Sequence, residues 1–546
     1  MVKFIKKILL LNIDNNIMAG GLIQLVAYGN QDIFITHDPQ ITFFKVVYRR
    51  HTNFTLEVIP QNFLQNADFG KRVTSVLSRN GDLIRKIHLV IDLPSIPTFK
   101  DESQNVDQIA KFAWVKRIGY AIIKTVEIEI GGELIDRQYG DWLNIWHELT
   151  FRDQKDISKI LGDVKELTDF TNGKPTYRLF IPLQFWFNRV AGLALPVVSL
   201  QYNHIKINLE LNDFERCYVL TPTHSINIDN DFVNFEQFEY ITQNVDGIVS
   251  TARFVYYDYL NRVMYLSRVS DNGFLSVTET DSTKIQTEQQ QKELLYETDL
   301  DGNLVNGQYY IIGAKSKFQA MPRINSVERI YKNRSVNFKN IVLKNCFLLV
   351  EYGFLDDEER IRFSKARHEY LIEQIFFNGE ETVDGLHQSF KVGFTQACKE
   401  LVWVTQLSSS QNTRNNDTFN YTDSLLKDDN GKYIGKNIIV KETLMFNGHE
   451  RISMRESEYF SKIQPYQHHT HNPPNGINIY SFSIHPENHQ PSGTANMSRI
   501  DNIDLRIAVV SDINFNNTAK LRIYGIVYNI LRIANGISGL VFSIDY

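Results

Sequence analysis

The 546-residue chain is 43% hydrophobic and 22% charged, a balance that excludes a disordered tail protein and supplies apolar side chains for at least two cores of ordinary domain size. Its 58 Lys and Arg against 63 Asp and Glu leave a net charge of −5, so bulk charge draws it neither to nucleic acid nor to an anionic membrane. Three dispersed cysteines, Cys217, Cys346 and Cys398, exclude a disulfide framework and a cysteine-based zinc site, and they fit a reducing compartment.

The chain opens on MVKFIKKILLLNIDNNI, where basic residues precede a short apolar run from Ile8 to Leu11. The run is interrupted by Lys6 and Lys7, ends in Asn and Asp, and lacks a small-residue cleavage pattern, so residues 1–17 read as an N-terminal extension ahead of Met18 and not as a secretory signal. Nothing later approaches the ~18 apolar residues that a spanning helix needs, and the expectation is a soluble protein.

Alternation with a period of two then recurs along the chain. Strands are predicted at Ile41 to Tyr48, Leu83 to Leu93 and within KTVEIEIGGELIDRQ, where Gly131 and Gly132 can supply the positive φ values of a tight hairpin turn. In HIKINLEL, Ile205, Ile207, Leu209 and Leu211 share one face while Lys206, Asn208 and Glu210 share the other, the signature of a half-buried strand. Further runs lie at Cys346 to Phe354, Asn437 to Phe446, Ile477 to Ile484, Ile503 to Val510 and Leu521 to Ile533. Aromatics reach 12%, with 35 Phe and 26 Tyr, which favours β-structure over helix bundles and predicts antiparallel sandwiches.

Two helices interrupt the strands. In YGDWLNIWHELTFRD, Trp142, Ile145, Trp146 and Leu149 recur at helical spacing. DDEERIRFSKARHEYLIEQ opens on Asp356, Asp357, Glu358 and Glu359, which suit a helix N-terminus better than a catalytic pair, and continues with Arg360, Arg362, Lys365 and Arg367. Two excursions break the strand pattern. Residues 213–345 contain the polar stretch TETDSTKIQTEQQQKELLYETDLDGN beside apolar patches such as RFVYYDYLNRVMYL, predicting a small folded cap, and a second polar excursion runs from Ser408 to Lys436.

Catalytic signatures are missing: no phosphate loop, no GxGxxG opening a helix and no GxSxG elbow occurs. His147-Glu148 and His368-Glu369 lack the second His of HExxH. His468, His469 and His471, with His485 and His489 nearby, offer imidazoles but no carboxylate or Cys at ligand spacing, and read as exposed loop histidines. Asn-x-Ser/Thr triplets begin at Asn53, Asn333, Asn416, Asn420, Asn496 and Asn516, as chance allows in an Asn-rich chain. The basic spot Tyr48-Arg49-Arg50-His51 reads as structural pairing, and Phe185, Trp186 and Phe187 as packing and not as a stacking platform for a ligand.

Taken together, MAGGLIQLVAYGNQDIFITHDPQITFFKVVYRRHTNFTLE, IGGELIDRQYGDWLNIWHELT, IPLQFWFNRVAGLALPVVSLQYNHIKINLEL, FLDDEERIRFSKARHEYLIEQ, ESEYFSKIQPYQ and QPSGTANMSRIDN resemble, in order, segments of the major capsid proteins of large nucleocytoplasmic DNA viruses. The resemblance implies an all-β double jelly roll, two eight-stranded antiparallel sandwiches in tandem: 18–355 with the insertion 213–345, a helical linker 356–365, and 366–546. It implies a structural, non-enzymatic subunit that forms homotrimeric, pseudo-hexagonal capsomers of an icosahedral virion assembled in the host cytoplasm. Expected partners are further copies of itself, neighbouring capsomers, minor capsid proteins and glycans on outer loops, with no cofactor and no direct nucleic-acid binding. Gln490, Pro491, Ser492 and Gly493 are expected to turn the chain before Arg499 and Asp501 enter the next strand as a partly buried pair. A glycan-binding or carbohydrate-active sandwich is the alternative function, and a minor capsid or vertex protein of the same fold a third.

Overall fold

A computed structural model of the chain describes residues 27, 29, 32, 36–39, 50–101, 103–245, 247–276, 309–332, 338, 340–412, 415–428 and 431–542. The strand expected at Ile41 to Tyr48, Tyr48 and Arg49 of the basic spot, the whole polar stretch 278–303, the extension 1–17 and the Asn333 triplet lie outside them. The chain divides into two compact units, 1–53 and 54–546. In the first, Asp32 accepts a hydrogen bond from the Gly29 amide at 2.7 Å; all that follows concerns the second.

Among the described residues, eight principal strands build the first sandwich, the last of them after the excursion: β1 (Phe54–Asn62), β2 (Arg72–Val76), β3 (Leu83–Leu93), β4 (Ile123–Ile130), β5 (Glu133–Tyr139), β6 (Tyr177–Pro182), β7 (Ile205–Leu211) and β8 (Asn345–Leu355). They form two antiparallel sheets in the orders β1-β8-β3-β6 and β2-β7-β4-β5. Helix α1 (Gly140–Thr150) follows β5, and helix α2 (Asp357–Lys365) follows β8. Eight principal strands likewise build the second sandwich: β9 (His368–Val383), β10 (His387–Lys391), β11 (Ala397–Leu407), β12 (Ile439–Phe446), β13 (His449–Glu456), β14 (Ile477–Ser481), β15 (Ile503–Val509) and β16 (Ala519–Ala534). Their sheets run β9-β16-β11-β14 and β10-β15-β12-β13, the same order shifted by eight. The fold is a double jelly roll.

The alternation read from the sequence builds each core. Ile205, Ile207, Leu209 and Leu211 of β7 point inward with Val126, Ile128 and Ile130 of β4, and meet Leu89, Ile91, Leu348 and Val350 of the facing sheet. In the second sandwich Leu401, Trp403, Ile523 and Val527 meet Leu444, Leu505 and Ile507 in the same way. Strand β16 is buried on both faces at its centre, because a helix covers its outer side, and there Ile523 to Tyr528 run without a charged residue.

Both hairpins after the fourth strand of each sandwich repeat one local design. Ile130 pairs with Glu133 across Gly131-Gly132, and Phe446 pairs with His449 across Asn447-Gly448; all four turn residues have positive φ. Each ladder then shifts register one pair further on, between Ile128 and Glu129 and between Leu444 and Met445.

Among the described residues, the excursion 213–345 carries a seven-stranded antiparallel sheet with its own core, including Ile226, Ile241, Phe254, Met264 and Ile311. It enters between β7 and β8. Helix α2 begins where the acidic run predicted: Asp356 accepts the Glu359 amide at 3.0 Å, and no residue of the helix is buried. The helix stops at Lys365, however, and HEYLIEQ belongs to β9, because its side chains are needed on the two faces of a central layer.

Candidate functional site

The chemistry-bearing side chains converge on the seam between the sandwiches. Helix α1 starts on Gly140, where a Cβ would strike the carbonyl oxygens of Ile123 and Tyr120, so only glycine lets the helix leave β5 at this point. From there Trp142, Ile145, Trp146 and Leu149 fall on one helical face. They pack on the outer side of the β9-β16-β11-β14 sheet against Ile375, Val402, Val404, Ile477, Ile479, Tyr524 and Ile526. Trp142 lies 5.4 Å from Tyr524, which stacks on Phe377 at 4.9 Å. Asp141, beside Trp142, accepts from Arg522 at 2.5 Å, from the Tyr524 hydroxyl at 3.0 Å and from the Tyr421 hydroxyl.

Charge is buried in this seam. Arg189 of the first sandwich donates to Glu373 of β9 at 2.8 Å and lies 4.7 Å over the Trp146 ring. The other oxygen of Glu373 accepts from Lys399, whose side chain is fully buried. Burial lowers the pKa of Lys399, and Glu373 works against that shift. One residue on, Glu400 pairs at 2.8 Å with His469, whose other ring nitrogen lies 3.2 Å from Glu487. Burial alone would lower the His469 pKa, but the two carboxylates push it up to about 9, so the imidazole is charged at neutral pH.

Backbone edges also meet. The Ile375 amide donates to Asp136 of β5 at 3.0 Å, and Gln374 donates to the Ile135 carbonyl. Burial pushes the Asp136 carboxyl up to about 6, against the pull of the bonds from Ile375 and Gln138. A hairpin at the chain end closes the other flank, where Tyr202 donates its amide to Gly536 at 3.0 Å and Asn203 reaches Ser538 at 3.1 Å.

The residues singled out in the sequence fare differently. The loop histidines are not uniformly exposed: His469 is buried because two carboxylates neutralise it, and with both nitrogens engaged it has none to offer a metal. His471 lies 2.8 Å from the Glu148 carbonyl. Phe185, Trp186 and Phe187 are buried in the first core. Ser492 approaches Ser483 at 2.6 Å and accepts the His485 amide at 2.9 Å, while Gln490, Pro491 and Gly493 are exposed. Arg499 and Asp501 do not form the expected buried pair; both stay in solvent at a short turn, where water solvates each charge separately. Asn416 and Asn420 are buried, whereas Asn53, Asn496 and Asn516 are exposed.

A serine and a histidine that sequence reasoning did not pair do meet. Ser199 Oγ lies 3.2 Å from His368 Nε2, yet that nitrogen is 2.7 Å from the Phe363 carbonyl and must donate to it, so it cannot take the serine proton. A cleft of about 990 Å³ opens between the first sandwich, the cap and the loop after β11. Several of its charged groups are committed: Arg268 to Glu328 at 3.0 Å, Asp417 to Lys427 at 2.9 Å, and Glu239 to Ser316 at 2.6 Å. The arrangement is that of a packed scaffold, with its polar groups spent on holding elements together.

Comparison with known proteins agrees with this geometry. Residues 42–261 match the family described as major capsid protein N-terminus, and residues 359–539 match the large eukaryotic DNA virus major capsid protein family. The chain is 43% identical over 528 residues to probable capsid protein 4 of Acanthamoeba polyphaga mimivirus, covering 96% of this chain and 99% of that one. It is 33% identical to the major capsid protein of Phaeocystis pouchetii virus, over 96% of this chain and all of the other. Among solved structures it is similar to the PBCV-1 virus capsid subunit at a TM-score of 0.56 and 23% identity, covering 92% of this chain and 100% of that one.

Proposed function

Because the chain belongs to the major capsid protein family of large eukaryotic DNA viruses, we propose that it is the structural subunit of an icosahedral virion shell, working as a homotrimeric capsomer of pseudo-hexagonal outline. It is a structural, non-enzymatic protein. The observation that carries the reading is the repetition of one strand order in two sandwiches of one chain, locked by an apolar and ionic seam. Three chains then place six like wedges around a threefold axis, and such a block tiles a lattice.

In this reading the first sandwich spans 18–355, the linker 356–365 and the second sandwich 366–546, with 213–345 as an outward cap and 1–17 as an extension. The cap, the loop after β11 and the exposed Asn516 offer surface for minor capsid proteins, neighbouring capsomers or glycans. With a net charge of −5 the shell leaves condensation of the genome to other components, and assembly takes place in the host cytoplasm.

Light scattering on the size-fractionated protein tests the capsomer. The expected mass is about three times 63.4 kDa; a monomer that persists at high concentration contradicts it. Copy number in purified particles separates a major from a minor or vertex subunit, and turnover of a glycan substrate, lost on replacing a carboxylate pair, would overturn the non-enzymatic reading.

A further inference from the structure

Beside the seam, a pocket of about 50 Å³ opens where four segments meet. Lys116 and Arg117 come from the connection between β3 and β4, Asn144 and Glu148 from α1, Lys432 from the loop after β11, and Asn475 from the segment leading into β14. Successive side chains of an extended segment point to opposite sides, yet Lys116 and Arg117 both line the pocket. The backbone leaves extension there, because Arg117 stands in the left-handed region at φ +50°, which a bulky residue rarely adopts.

The lining is electropositive: three cations face one carboxylate. Glu148 is engaged by Arg117, which also donates to the Asn144 side-chain oxygen at 2.7 Å and lies 3.5 Å from Asp163. Among the described residues neither Lys116 nor Lys432 is ion-paired to a carboxylate: Lys116 lies 5.9 Å from the Tyr433 ring centre, and Lys432 engages Asp428 only through its backbone amide, at 2.8 Å. Burial lowers the pKa of Lys116, and Arg117 and Lys427 add to that shift against Asp163 and Glu148. Close by, Lys462 donates to the Pro473 carbonyl at 2.9 Å, and burial and the charge of Lys432 both lower its pKa. Unpaired ammonium groups in such a site carry a cost that a bound anion offsets. Asn144 adds a neutral donor. It is 1% exposed, and with its oxygen engaged by Arg117 its amide nitrogen has no acceptor among the described residues.

We infer that this pocket binds a single phosphate group, held by Lys116, Lys432 and the Asn144 amide. Its volume admits about four atoms of water's size, which suits a tetrahedral oxyanion, and the two lysines without a carboxylate match the charge of a phosphate dianion. The phosphate is either the free ion or the ester end of a larger molecule. Lys116 also lines the cleft of about 990 Å³, so a ligand that presents its phosphate to this lysine has room there for its remainder. Because the binding groups come from the first sandwich, from α1 and from the loop after β11, the bound anion ties the two sandwiches together in each chain, whatever its oligomeric state.

Isothermal titration of the full chain at constant ionic strength, once with inorganic phosphate and once with glucose 6-phosphate, tests it. One site per chain is expected. The chain with Lys116→Gln and Lys432→Gln should bind about tenfold more weakly or not at all, and the chain with Lys391→Gln, an exposed lysine outside the pocket, should bind as the parent does. Saturating phosphate should also raise the melting temperature of the parent and leave that of the double variant unchanged. Binding of inorganic phosphate alone identifies the free ion as the ligand, equal binding of both probes shows that only the phosphate is recognised, and tighter binding of the ester seats its remainder in the cleft. No binding of either probe, or a double variant that binds as the parent does, overturns the site. Should the double variant lack a native melting transition, Lys432→Glu alone, on an exposed residue, supplies the readout, and undiminished affinity in that chain contradicts the inference.

Discussion

Arg189 and Glu373 meet at 2.8 Å although 184 residues separate them, and the carboxylate they share with Lys399 ties the first sandwich to the second. A triad of this kind is costly to bury and more costly to break, because removing one member strands the others without solvent. Replacing Glu373 with Ala should therefore destabilise the chain by about 3–5 kcal/mol, the range for breaking a buried pair. Urea unfolding of the two proteins measures it, and a loss below ~1 kcal/mol would place the triad in solvent.

Trp142 is fully buried between α1 and the second sandwich. Trp142→Ala should cost about 3–5 kcal/mol through lost burial and a residual cavity. Because the cavity lies on the seam, limited proteolysis should cut the exposed helix Asp357–Lys365 faster than in the parent chain. Unchanged cleavage would mean that the seam holds without the tryptophan.

Glu442 lies in the second core, 2.6 Å from the Trp403 indole nitrogen, and burial pushes its carboxyl up to about 8. Between its ordinary value of 4.5 and about 8, the folded chain holds a proton that the unfolded chain has released, so stability falls as pH rises through that window. Glu442→Gln should remove this slope, gaining on the parent from pH 4.5 to 8 and holding a constant advantage above. Parallel stability curves for the two proteins would contradict the buried, protonated state.

His469 and Glu487 set opposite limits on the same seam. The His469 pKa rises from 6.5 to about 9, so its contribution is complete below 6.5 and lost as pH climbs through 9. Glu487 is held below 4.5: burial raises it, but the bonds from His469 and Thr470 outweigh that, and its contribution disappears only as pH falls through the lowered value. Carbon-13 labelled histidine should report an imidazole titrating near pH 9, and His469→Gln should flatten the alkaline loss of stability. A titration near 6.5 would show the imidazole to be solvated.

Gly132 turns the first hairpin at a φ of +91°, with nothing within 4 Å of an added Cβ. Gly132→Ala should cost only ~1–2 kcal/mol of backbone strain. Gly140→Ala should cost more, since the added carbon meets two backbone carbonyls that cannot move aside. Equal losses in thermal melts would refute the distinction between strain and space.

Local features of this fold were legible in the sequence. HIKINLEL, the Gly131-Gly132 hairpin and the Trp142 to Leu149 helix each fall where periodicity placed them, because the deciding interactions lie within a few residues. The family motifs supplied the double jelly roll. The seam was not legible: Arg189, Glu373, Lys399 and His469 come from four separate segments, and no spacing rule brings them together. One signal was present in ACKELVWVTQL, where Lys399 and Glu400 are the only charges in a largely apolar strand; charges so placed must find buried partners or unfold the strand. The expected burial of Arg499 with Asp501 failed for the opposite reason, since closeness in sequence says nothing of burial and both side chains reach solvent.

The central claim concerns shape, and two-dimensional class averages of the purified full-length protein by cryo-electron microscopy test it most directly. The account predicts particles with a threefold axis whose end-on views show six similar lobes, two from each chain. Lone two-lobed particles, or assemblies related by a twofold axis, would contradict it.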